Sequence, residues 1–468
     1  MAPKFGTSGL RGLVTELTPE LVSAYVAAFI AACPTGSGLF VGRDLRPSSP
    51  RIAADVVAAA RRAGLAVTDC GALPTPALAL AAMGAGAAAV MITGSHIPAD
   101  RNGLKFYLPG GEIAKSDEAA IGAALAATPG AQTAPEGPLF TAPGALAAYG
   151  ARYLRAFGAT ALAGLRLGVY QHSSVARDAL CDLLAQLGAT VVPLARSETF
   201  IPVDTEAVDP ETRIELAGWC AEHGLDALVS TDGDADRPML ADDRGRVVAG
   251  DVLGVLSALA LGAEVVCTPV SSNTMVGRMP QFRALHLTRI GSPFVIAAME
   301  AVQAETPAAK VVGFEANGGF LLGFDAEGPA GPLAALMTRD AFLPIIAPLA
   351  AARAAGQSLA QAVAALPARF TAADRLSETP PEASAAFLAR LRAEPAARAS
   401  FLAPLPAPAT LDETDGLRMT LTDGRVVHLR PSGNAPEFRA YTEAETQAEA
   451  EALLAAMLEK LRKALGAG

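Results

Sequence analysis

The sequence predicts an α/β protein built from three consecutive, related α/β domains with parallel or mixed sheets, followed by a smaller α+β domain. The order strand, polar loop, helix, strand occurs in residues 38–71 and recurs in residues 166–194 and 263–291. Units of this kind, about thirty residues long, are typical of parallel sheets. Each polar loop carries a serine pair, namely Ser48-Ser49, Ser173-Ser174 and Ser271-Ser272. Because the unit recurs at domain-scale separation, we expect three related domains.

Composition shifts predict where these domains meet. Residues 128–144 are rich in Pro, Gly and Ala and predict the first linker, and further boundaries are expected near residues 245–250 and 366–367. The predicted domains are residues 1–146, 147–247, 248–366 and 367–468.

The C-terminal stretch has no fourth copy of the repeated unit and predicts the α+β domain instead. Residues 419–421 and 425–429 predict the strands of a hairpin, joined by the three-residue turn 422–424. A third strand is expected at residues 438–441. Residues 448–465 predict an amphipathic helix, with basic residues in its last turns where the helix dipole favours them.

The composition limits the classes of function. The chain has 468 residues, of which 51% are hydrophobic but 5% aromatic, and its formal net charge is −10. Neither nucleic acid nor a membrane is an expected partner, because there is no basic footprint or polybasic segment. The apolar runs at residues 21–33 and 252–267 are shorter than the roughly 20 residues that cross a bilayer. Scattered cysteines and the absence of an apolar signal region predict a cytoplasmic protein with reduced thiols.

A candidate nucleophile follows the apolar run Ala88–Ile92, which predicts a buried strand. The loop TGSH comes next, so that Ser95 and His96 lie at the end of a strand, where chemistry gathers in α/β sheets. Residues 102–103, Asn-Gly, predict a turn, and Lys105 follows shortly after. The alternative interpretation is that Ser95 is a turn serine bonded to its own backbone.

An acidic loop follows the strand end predicted at residues 228–231. Its carboxylates, Asp232, Asp234 and Asp236, alternate within five residues, and their mutual repulsion is costly unless a cation cancels it. Hard divalent cations prefer such oxygen ligands, and three protein ligands leave positions open, as suits Mg²⁺ with a phosphate oxygen. The alternative is an exposed acidic loop, which the strand-end position and the adjacent Arg237 disfavour.

A glycine-rich loop follows another predicted strand within residues 311–319 and carries Glu315 and Asn317. Carboxylate and amide groups offer the acceptors and donors that suit sugar hydroxyls. A plain turn is an equally open interpretation of this loop.

Arginines flank two further glycine-containing loops. Near the N-terminus, glycines around Ser8 predict a loop that presents Arg11, with a solvated arginine as the alternative. Near the C-terminus, the residues concerned are Arg430, Ser432, Gly433, Asn434 and Arg439. Consecutive N–H groups in such a loop form an anion nest, and arginine forks bind phosphate bidentately. The alternative for this second loop is a solvated basic turn.

Taken in order, these motifs resemble the α-D-phosphohexomutase superfamily, of the phosphoglucomutase/phosphomannomutase type. The matching segments span the chain: FGTSGLRG, TGSHIPADRNGLKF, DGDADR, the loop with Glu315, and RPSGNAPEFR. The resemblance implies four domains around a central cleft, in a monomer or homodimer. It also implies an enzyme that interconverts hexose 6-phosphate and hexose 1-phosphate, with hexose 1,6-bisphosphate as activator and intermediate.

The resemblance implies a role for each candidate residue. Ser95 would be the phosphorylated serine and would hold Mg²⁺ together with Asp232, Asp234 and Asp236. The transfer site would contain Arg11, His96 and Lys105, with Lys105 as the general base. The substrate would be bound by Arg237, Glu315 and Asn317 and, at its distal phosphate, by Arg430, Ser432, Gly433, Asn434 and Arg439.

Two departures from the family pattern bear on the substrate. Ile97 stands where members commonly have Asn, and the loop Glu-Ala-Asn-Gly-Gly replaces Glu-Met-Ser-Gly-His. The second form is similar to a bacterial phosphomannomutase branch and favours mannose phosphates. Glucose or dual specificity is the alternative, followed by a phosphoglucosamine mutase. From other classes, a Mg²⁺-dependent sugar phosphatase and a non-catalytic sugar-phosphate binding protein remain open.

Overall fold

The first sheet is mixed and carries the serine loop at the end of a central strand. In a computed structural model of the chain, residues 3–6, 9–127, 135–431 and 437–466 are described. The strands of this sheet are β1 (Lys4–Phe5), β2 (Leu10–Leu13), β3 (Leu39–Arg43), β4 (Val67–Ala72), β5 (Ala88–Ile92), β6 (Arg101–Leu108), β7 (Gly111–Glu112) and β8 (Leu139–Thr141). Their order is β1–β2–β6–β5–β3–β4–β8, with β7 paired to β6. The helices are α1 (Pro19–Ala32), α2 (Ser49–Arg62), α3 (Thr75–Gly84), α4 (Lys115–Ala126) and α5 (Ala145–Phe157).

The second sheet repeats the β-α-β unit in smaller form. It contains β9 (Arg166–His172), β10 (Thr190–Arg196), β11 (Ala227–Thr231) and β12 (Pro238–Ala241), with helices α6 (Arg177–Gln186) and α7 (Pro210–His223). The order is β10–β9–β11–β12, with β10, β9 and β11 parallel and β12 antiparallel to β11. The acidic loop connects β11 to β12.

The third sheet contains β13 (Val265–Pro269), β14 (Ala284–Thr288), β15 (Val311–Phe314), β16 (Phe320–Leu322) and β19 (Leu336–Asp340), and the short strands β17 (Ala326–Glu327) and β18 (Pro332–Leu333) pair beside it. The helices of this part are α8 (Gly250–Ala260), α9 (Ser292–Glu305), α10 (Leu343–Ala354) and α11 (Leu359–Ala364). The order β14–β13–β15–β16–β19 places the loop after β15 between two sheet strands.

The C-terminal sheet is antiparallel throughout, in the order β20–β24–β23–β22–β21. Its elements are β20 (Phe370–Leu376), α12 (Pro381–Ala393), α13 (Pro395–Leu402), β21 (Pro408–Asp412), β22 (Leu417–Leu421), β23 (Val426–Pro431), β24 (Phe438–Ala444) and α14 (Gln447–Leu465). The predicted hairpin and terminal helix are confirmed, whereas β20 and β21 carry weak signals and were not expected.

The buried apolar side chains form one large cluster shared by three sheets and a separate cluster in the C-terminal domain. One cluster of buried side chains includes residues from the first, second and third sheets, from Leu73 to Leu359. The C-terminal domain has its own cluster, from Leu376 to Leu461. The first three domains therefore share packing, while the fourth is stabilised separately. None of the helices in the described part of the chain has the length and apolar character needed to cross a membrane.

Two sequence predictions about local structure were wrong. Asn102 and Gly103 lie inside β6 instead of forming a turn, because β6 pairs with β2 and β5 on either side. At Gly103 a Cβ would meet the Leu10 carbonyl at 2.3 Å, so the glycine allows close strand approach. Arg11 lies on β2, not on a loop. Residues 139–141 of the predicted linker form the edge strand β8.

The third β-α-β unit also differs from the prediction. Its helix is a short 3₁₀ helix, Thr274–Arg278, in place of an α-helix. Pro280 follows at once, and the residue before a proline disfavours the helical conformation. The unit therefore returns to the sheet as β14 after a single tight turn.

Candidate active site

Ser95 lies in a fully buried, strained position at the end of β5. Its φ of +54° is in the left-handed region, which non-glycine residues rarely adopt. The Ser95 N–H donates to Thr93 Oγ1 over 2.8 Å, and Ser95 Oγ lies 3.3 Å from His96 Nδ1. Backbone strain of this kind persists only where the surroundings enforce it, and it clusters at functional sites.

Arg46 enforces the conformation of this loop. Its buried guanidinium donates to the carbonyl oxygens of Ser95, Ile97, Pro98 and Arg101 at 2.5–3.0 Å. Its Nε also donates to a buried Asp44 oxygen over 3.2 Å. One side chain therefore satisfies several carbonyl groups of the serine loop, which would otherwise be buried without donors.

The serine pair of the first unit contributes a second brace. Ser49 Oγ donates to Asp44 Oδ1 over 2.5 Å, and Thr93 Oγ1 donates to Asp44 Oδ2 over 2.8 Å. Because Thr93 in turn accepts the Ser95 N–H, the loop after β3 is tied to the loop after β5.

The second and third units brace their loops in the same way. Ser174 Oγ lies 2.6 Å from Thr231 Oγ1, whose hydroxyl reaches the carbonyl of Asp232 over 2.9 Å. Ser272 Oγ lies 2.6 Å from Thr268 Oγ1, which donates to the carbonyl of Phe314 over 2.8 Å. In each domain, buried hydroxyls thus hold the strand end that precedes a candidate functional loop.

The structure brings the acidic loop onto Ser95. Ser95 Oγ donates to Asp232 Oδ2 over 2.5 Å, although the residues are far apart in sequence and belong to different sheets. Oxygens of Asp232, Asp234 and Asp236 lie within 4.8 Å of one another, and all three side chains are buried. Lys105 Nζ donates over 2.6 Å to Oδ2 of both Asp234 and Asp236.

The charge balance of this cluster perturbs its carboxyl groups in opposite directions. Burial, together with Asp234 and Asp236, raises the pKa of Asp232 well above its ordinary value. Burial also opposes ionisation of Asp236, but Arg339, Lys105 and Arg237 outweigh it and hold the pKa of Asp236 below its ordinary value. Of these two aspartates, Asp232, which lies beside the serine hydroxyl, has the less well compensated negative charge.

The donor set fits a hard divalent cation. Oδ1 of Asp234 and Oδ1 of Asp236 are buried without a hydrogen-bond partner among the described residues. Buried carboxylate oxygens of this kind require a partner, and a cation bound by oxygen ligands would supply it. Ser95 Oγ, adjacent to Asp232, could serve as a further oxygen ligand.

His96 and Arg237 also lie close to the serine loop. Arg237 Nη1 is 3.0 Å from His96 Nδ1, and Arg237 N donates to Asp232 Oδ1 over 3.3 Å. Burial and the charges of Arg237, Arg11 and Arg439 lower the pKa of His96 well below its ordinary value, so its imidazole is neutral at pH 7. Burial, followed by the charge of Arg237, also lowers the pKa of Arg11 to about 10.

The glycine-rich loop after β15 meets the same cluster through Arg339. The Glu315 side chain is buried, and its Oε2 lies 3.6 Å from Arg339 Nη1. Arg339 Nη2 lies 2.8 Å from Asp236 Oδ2. Asn317 uses its Oδ1 to accept from the Gly319 N–H over 3.0 Å, so part of its polar capacity holds the loop.

Arg430 and Arg439, which flank the C-terminal loop, are described and lie on strands β23 and β24 of the fourth domain. Arg430 Nε donates to Asp415 Oδ1 over 2.8 Å, and Asp415 Oδ2 accepts from the Ile290 N–H of the third domain over 2.9 Å. Arg439 Nη2 donates to Glu437 Oε2 over 3.3 Å. The predicted loop residues Ser432, Gly433 and Asn434 lie outside the described residues.

Sequence reasoning missed residues that complete the site. Arg339 reads as an ordinary strand residue, and Thr75, whose Oγ1 donates to Asp234 Oδ2 over 2.6 Å, reads as a helix start. Arg46 could have been suspected from its position just after β3, in the same place as the serine pair. No signal in the sequence indicates the partners of the other two.

Curated relatives and solved structures resemble the whole chain. A phosphomannomutase of Sinorhizobium fredii is 46% identical, covering 99% of this chain and 100% of its own length. A phosphomannomutase of Salmonella muenchen is 40% identical, covering 99% and 96% respectively. The crystal structure of a phosphoglucomutase/phosphomannomutase family protein from Burkholderia thailandensis superposes with a TM-score of 0.76 at 21% identity, covering 100% of this chain and 98% of that one. The open form of a phosphoglucomutase from Paramecium superposes with a TM-score of 0.71 at 16% identity, covering 100% and 96%.

Sequence models of one family match every part of the chain. The phosphoglucomutase/phosphomannomutase alpha/beta/alpha domains I, II and III match residues 2–130, 151–245 and 249–370, and the C-terminal domain matches residues 359–460. The four matches follow the family order and agree with the three mixed sheets and the antiparallel C-terminal sheet. The chain therefore belongs to the phosphoglucomutase/phosphomannomutase family of phosphotransferases.

Proposed function

We propose that the protein is a phosphohexomutase that interconverts hexose 6-phosphate and hexose 1-phosphate, with mannose phosphates preferred. The observation that carries this proposal is the 2.5 Å hydrogen bond between Ser95 Oγ and Asp232, at a buried cluster of acids and guanidinium groups. The mannose preference is supported by relatives named phosphomannomutase at 46% and 40% identity.

The proposed reaction passes a phosphoryl group through Ser95. The bond between the serine oxygen and phosphorus breaks as a sugar hydroxyl forms a new bond to phosphorus, giving a hexose 1,6-bisphosphate. A base takes the proton of the sugar hydroxyl, and the departing serine oxygen takes up a proton to become a hydroxyl. The reverse transfer of the other phosphate removes that proton again and restores phosphoserine. Protein groups contribute mainly by positioning and by neutralising charge, because phosphoryl transfer needs little covalent help.

Lys105 is the proposed general base. Its Nζ donates to Asp234 and Asp236, so it must give up one of its protons before it can accept one from the sugar hydroxyl. Arg237 and Arg11 would stabilise the phosphoryl oxygens, and the neutral His96 lies within reach of the serine hydroxyl.

Mg²⁺ is the proposed metal, held by Ser95, Asp232, Asp234 and Asp236. When bound, it would neutralise negative charge on the phosphoryl oxygens. The Oδ1 atoms of Asp234 and Asp236 have no hydrogen-bond partner in the described part of the chain, which supports this assignment. The hexose 1,6-bisphosphate would act as both intermediate and activator, because it can phosphorylate an unmodified Ser95.

The fourth domain would hold the phosphate that is not reacting. Its separate core supports movement against the other domains, and Asp415 links Arg430 to the Ile290 N–H across that boundary. Such a domain could close on either phosphate and open to let the bisphosphate turn. Arg430, Arg439 and the loop residues Ser432, Gly433 and Asn434 are the proposed ligands.

The test is turnover of mannose 1-phosphate, primed with a trace of hexose 1,6-bisphosphate. We expect mannose 6-phosphate to form, and we expect Ser95→Ala to abolish its formation while the matched surface variant Ser400→Ala keeps it. Ser400 is exposed on α13. Release of inorganic phosphate in place of the isomer would identify a phosphatase, and wild-type turnover by Ser95→Ala would refute the phosphoserine role.

A further inference from the structure

Arg339 joins two loops that are separate in sequence. The side chain projects from β19, is 3% exposed, and lies 2.8 Å from Asp236 and 3.6 Å from Glu315. One guanidinium therefore serves the acidic loop of the second domain and the glycine-rich loop of the third. An ion pair with both loops fixes the distance between them more firmly than either loop could alone.

The stem of Arg339 occupies the space beside Gly319. A Cβ at position 319 would lie 2.8 Å from Arg339 Cδ and 2.9 Å from Arg339 Cγ. These atoms are in the middle of a side chain that is held at its far end by two carboxylates. The stem cannot yield to a Cβ without moving the guanidinium, so the glycine and the arginine are matched to each other.

The Glu315 carboxylate can still accept hydrogen bonds from a ligand while it is paired with Arg339. Its Oε2 lies at ion-pair distance from Arg339 and has no hydrogen-bond partner among the described residues. A carboxylate that is oriented but not saturated can accept hydrogen bonds from hydroxyl groups of a ligand. Without the guanidinium, the buried carboxylate would lose its counter-ion and turn toward other cations of the site.

We propose that Arg339 is a positioning residue that orients Glu315 toward the sugar hydroxyls, and that Gly319 is the position that makes room for it. This inference rests on the proposed function, because it takes Glu315 as the hydroxyl acceptor. Arg339 acts through Glu315 and Asp236, and its contribution is to substrate discrimination.

The experiment measures how much each enzyme loses when a substrate hydroxyl is removed. The substrates are mannose 1-phosphate and its 2-, 3- and 4-deoxy analogues. The measured quantity is the kcat/KM for the parent divided by the kcat/KM for the analogue, which we call the deoxy penalty. Glu315→Gln identifies the hydroxyl that Glu315 reads, because the penalty for that deoxy analogue falls in this variant. We expect Arg339→Ala to lower the same penalty by about tenfold or more. A site that no longer binds a hydroxyl group cannot distinguish the parent sugar from the analogue that lacks this group.

Arg339→Lys and Gly319→Ala sharpen the test. Arg339→Lys keeps one positive charge near the same place but loses the planar fork of donors. The deoxy penalty of this variant should therefore lie between those of the wild type and Arg339→Ala. Gly319→Ala should reproduce the Arg339→Ala result, because the added Cβ displaces the stem. The double variant Gly319→Ala, Arg339→Ala should match Arg339→Ala alone, since the clash disappears with the stem.

Matched controls separate these effects from general damage. Gly218→Ala adds a Cβ that meets nothing within 4 Å, and Arg353→Ala removes an exposed arginine. Both should keep the wild-type deoxy penalties. If Arg339→Ala does not fold, Arg339→Gln takes its place.

The two proposals fail in different ways. A wild-type enzyme without mutase turnover would refute the proposed function. A wild-type enzyme that turns over, and whose penalty for the Glu315-read hydroxyl is unchanged by Arg339→Ala, would overturn the inference about Arg339 alone. If the effects of Gly319→Ala and Arg339→Ala on the deoxy penalty add up in the double variant, the inference that Gly319 makes room for the Arg339 side chain is overturned.

Discussion

Replacing Asp232 by Asn should make the metal-free protein more stable. The substitution keeps the shape of the side chain and an acceptor for Ser95 Oγ, which donates to Asp232 Oδ2. At a pH at which Asp232 is ionised, it removes one of three buried negative charges whose oxygens lie within 4.8 Å of one another. The amide gives up the acceptor for the Arg237 N–H, but that bond is long, at 3.3 Å.

The size of the effect follows from the charges. Two unit charges 4.8 Å apart repel by about 3.5 kcal/mol at an effective dielectric constant near 20. Asp232 experiences two such repulsions, from Asp234 and Asp236, and the cations Arg237 and Lys105 offset part of them. We therefore expect a net gain in the free energy of unfolding of about 1–3 kcal/mol. That corresponds to a rise in Tm of about 2–4 °C per kcal/mol for domains of 150–250 residues.

The pH dependence has a definite sign. Because the pKa of Asp232 is raised in the folded protein, the wild type binds this proton more tightly when folded and loses stability as the pH rises through that pKa. The amide introduced by Asp232→Asn cannot titrate. The difference in Tm between the variant and the wild type should be small near pH 4 and should widen toward pH 7.

Thermal unfolding with a chelator and then with excess Mg²⁺ tests this reasoning. Wild-type protein should gain about 2.7 kcal/mol at a metal concentration 100 times Kd, whereas Asp232→Asn should gain less. Asp182→Asn, an exposed carboxylate on α6, is the matched control and should change neither Tm nor the response to metal. An Asp232→Asn protein that is less stable than the wild type in chelator at pH 7 would refute the argument.

Three other predictions concern catalysis. Arg46→Lys should lower kcat by about 10- to 100-fold with little change in KM, because the carbonyls of the serine loop lose donors and Ser95 shifts. Arg430→Ala should raise KM for the hexose phosphate by about 10- to 100-fold, the loss expected for one charge-assisted hydrogen bond. The ratio of the pH profiles of wild-type and His96→Gln enzymes should be flat from pH 5.5 to about 8, because the pKa of His96 is held well below its ordinary value by burial and by neighbouring cations.

Surface residues of the same type provide the controls for these variants. They are Arg353→Lys, Arg425→Ala and His286→Gln, and each should behave as the wild type. Unchanged kcat in Arg46→Lys would remove Arg46 from the account of the serine loop. Unchanged KM in Arg430→Ala would remove that arginine from phosphate binding, and a step near pH 6.5 in the profile ratio would show that His96 ionises.

The sequence located the loops of the site because their signals are local. Asp232 and Glu315 follow an apolar strand directly and Ser95 follows one after two residues, and chemistry gathers at strand ends of α/β sheets. The partners of these residues could not be predicted, since Lys105 meets Asp236 across 131 residues of sequence. The turn predicted at Asn102-Gly103 was wrong because pairing of β6 with its two neighbouring strands outweighs the local turn preference of this dipeptide. Arg339 carried no signal at all, because its role depends on a glycine twenty residues earlier that leaves space for it.

The hydroxyl braces shared by the first three domains have a consequence for which residues can be changed without moving the strand ends. In each domain, Ser49, Ser174 or Ser272 anchors the backbone just before a functional loop, and the loop itself begins only afterwards. The anchoring hydrogen bonds are therefore separate from the loop residues, so the loop residues can differ between the domains while each strand end keeps its position. A hydroxyl anchor of this kind precedes the serine loop in the first domain, the acidic loop in the second and the loop with Glu315 in the third.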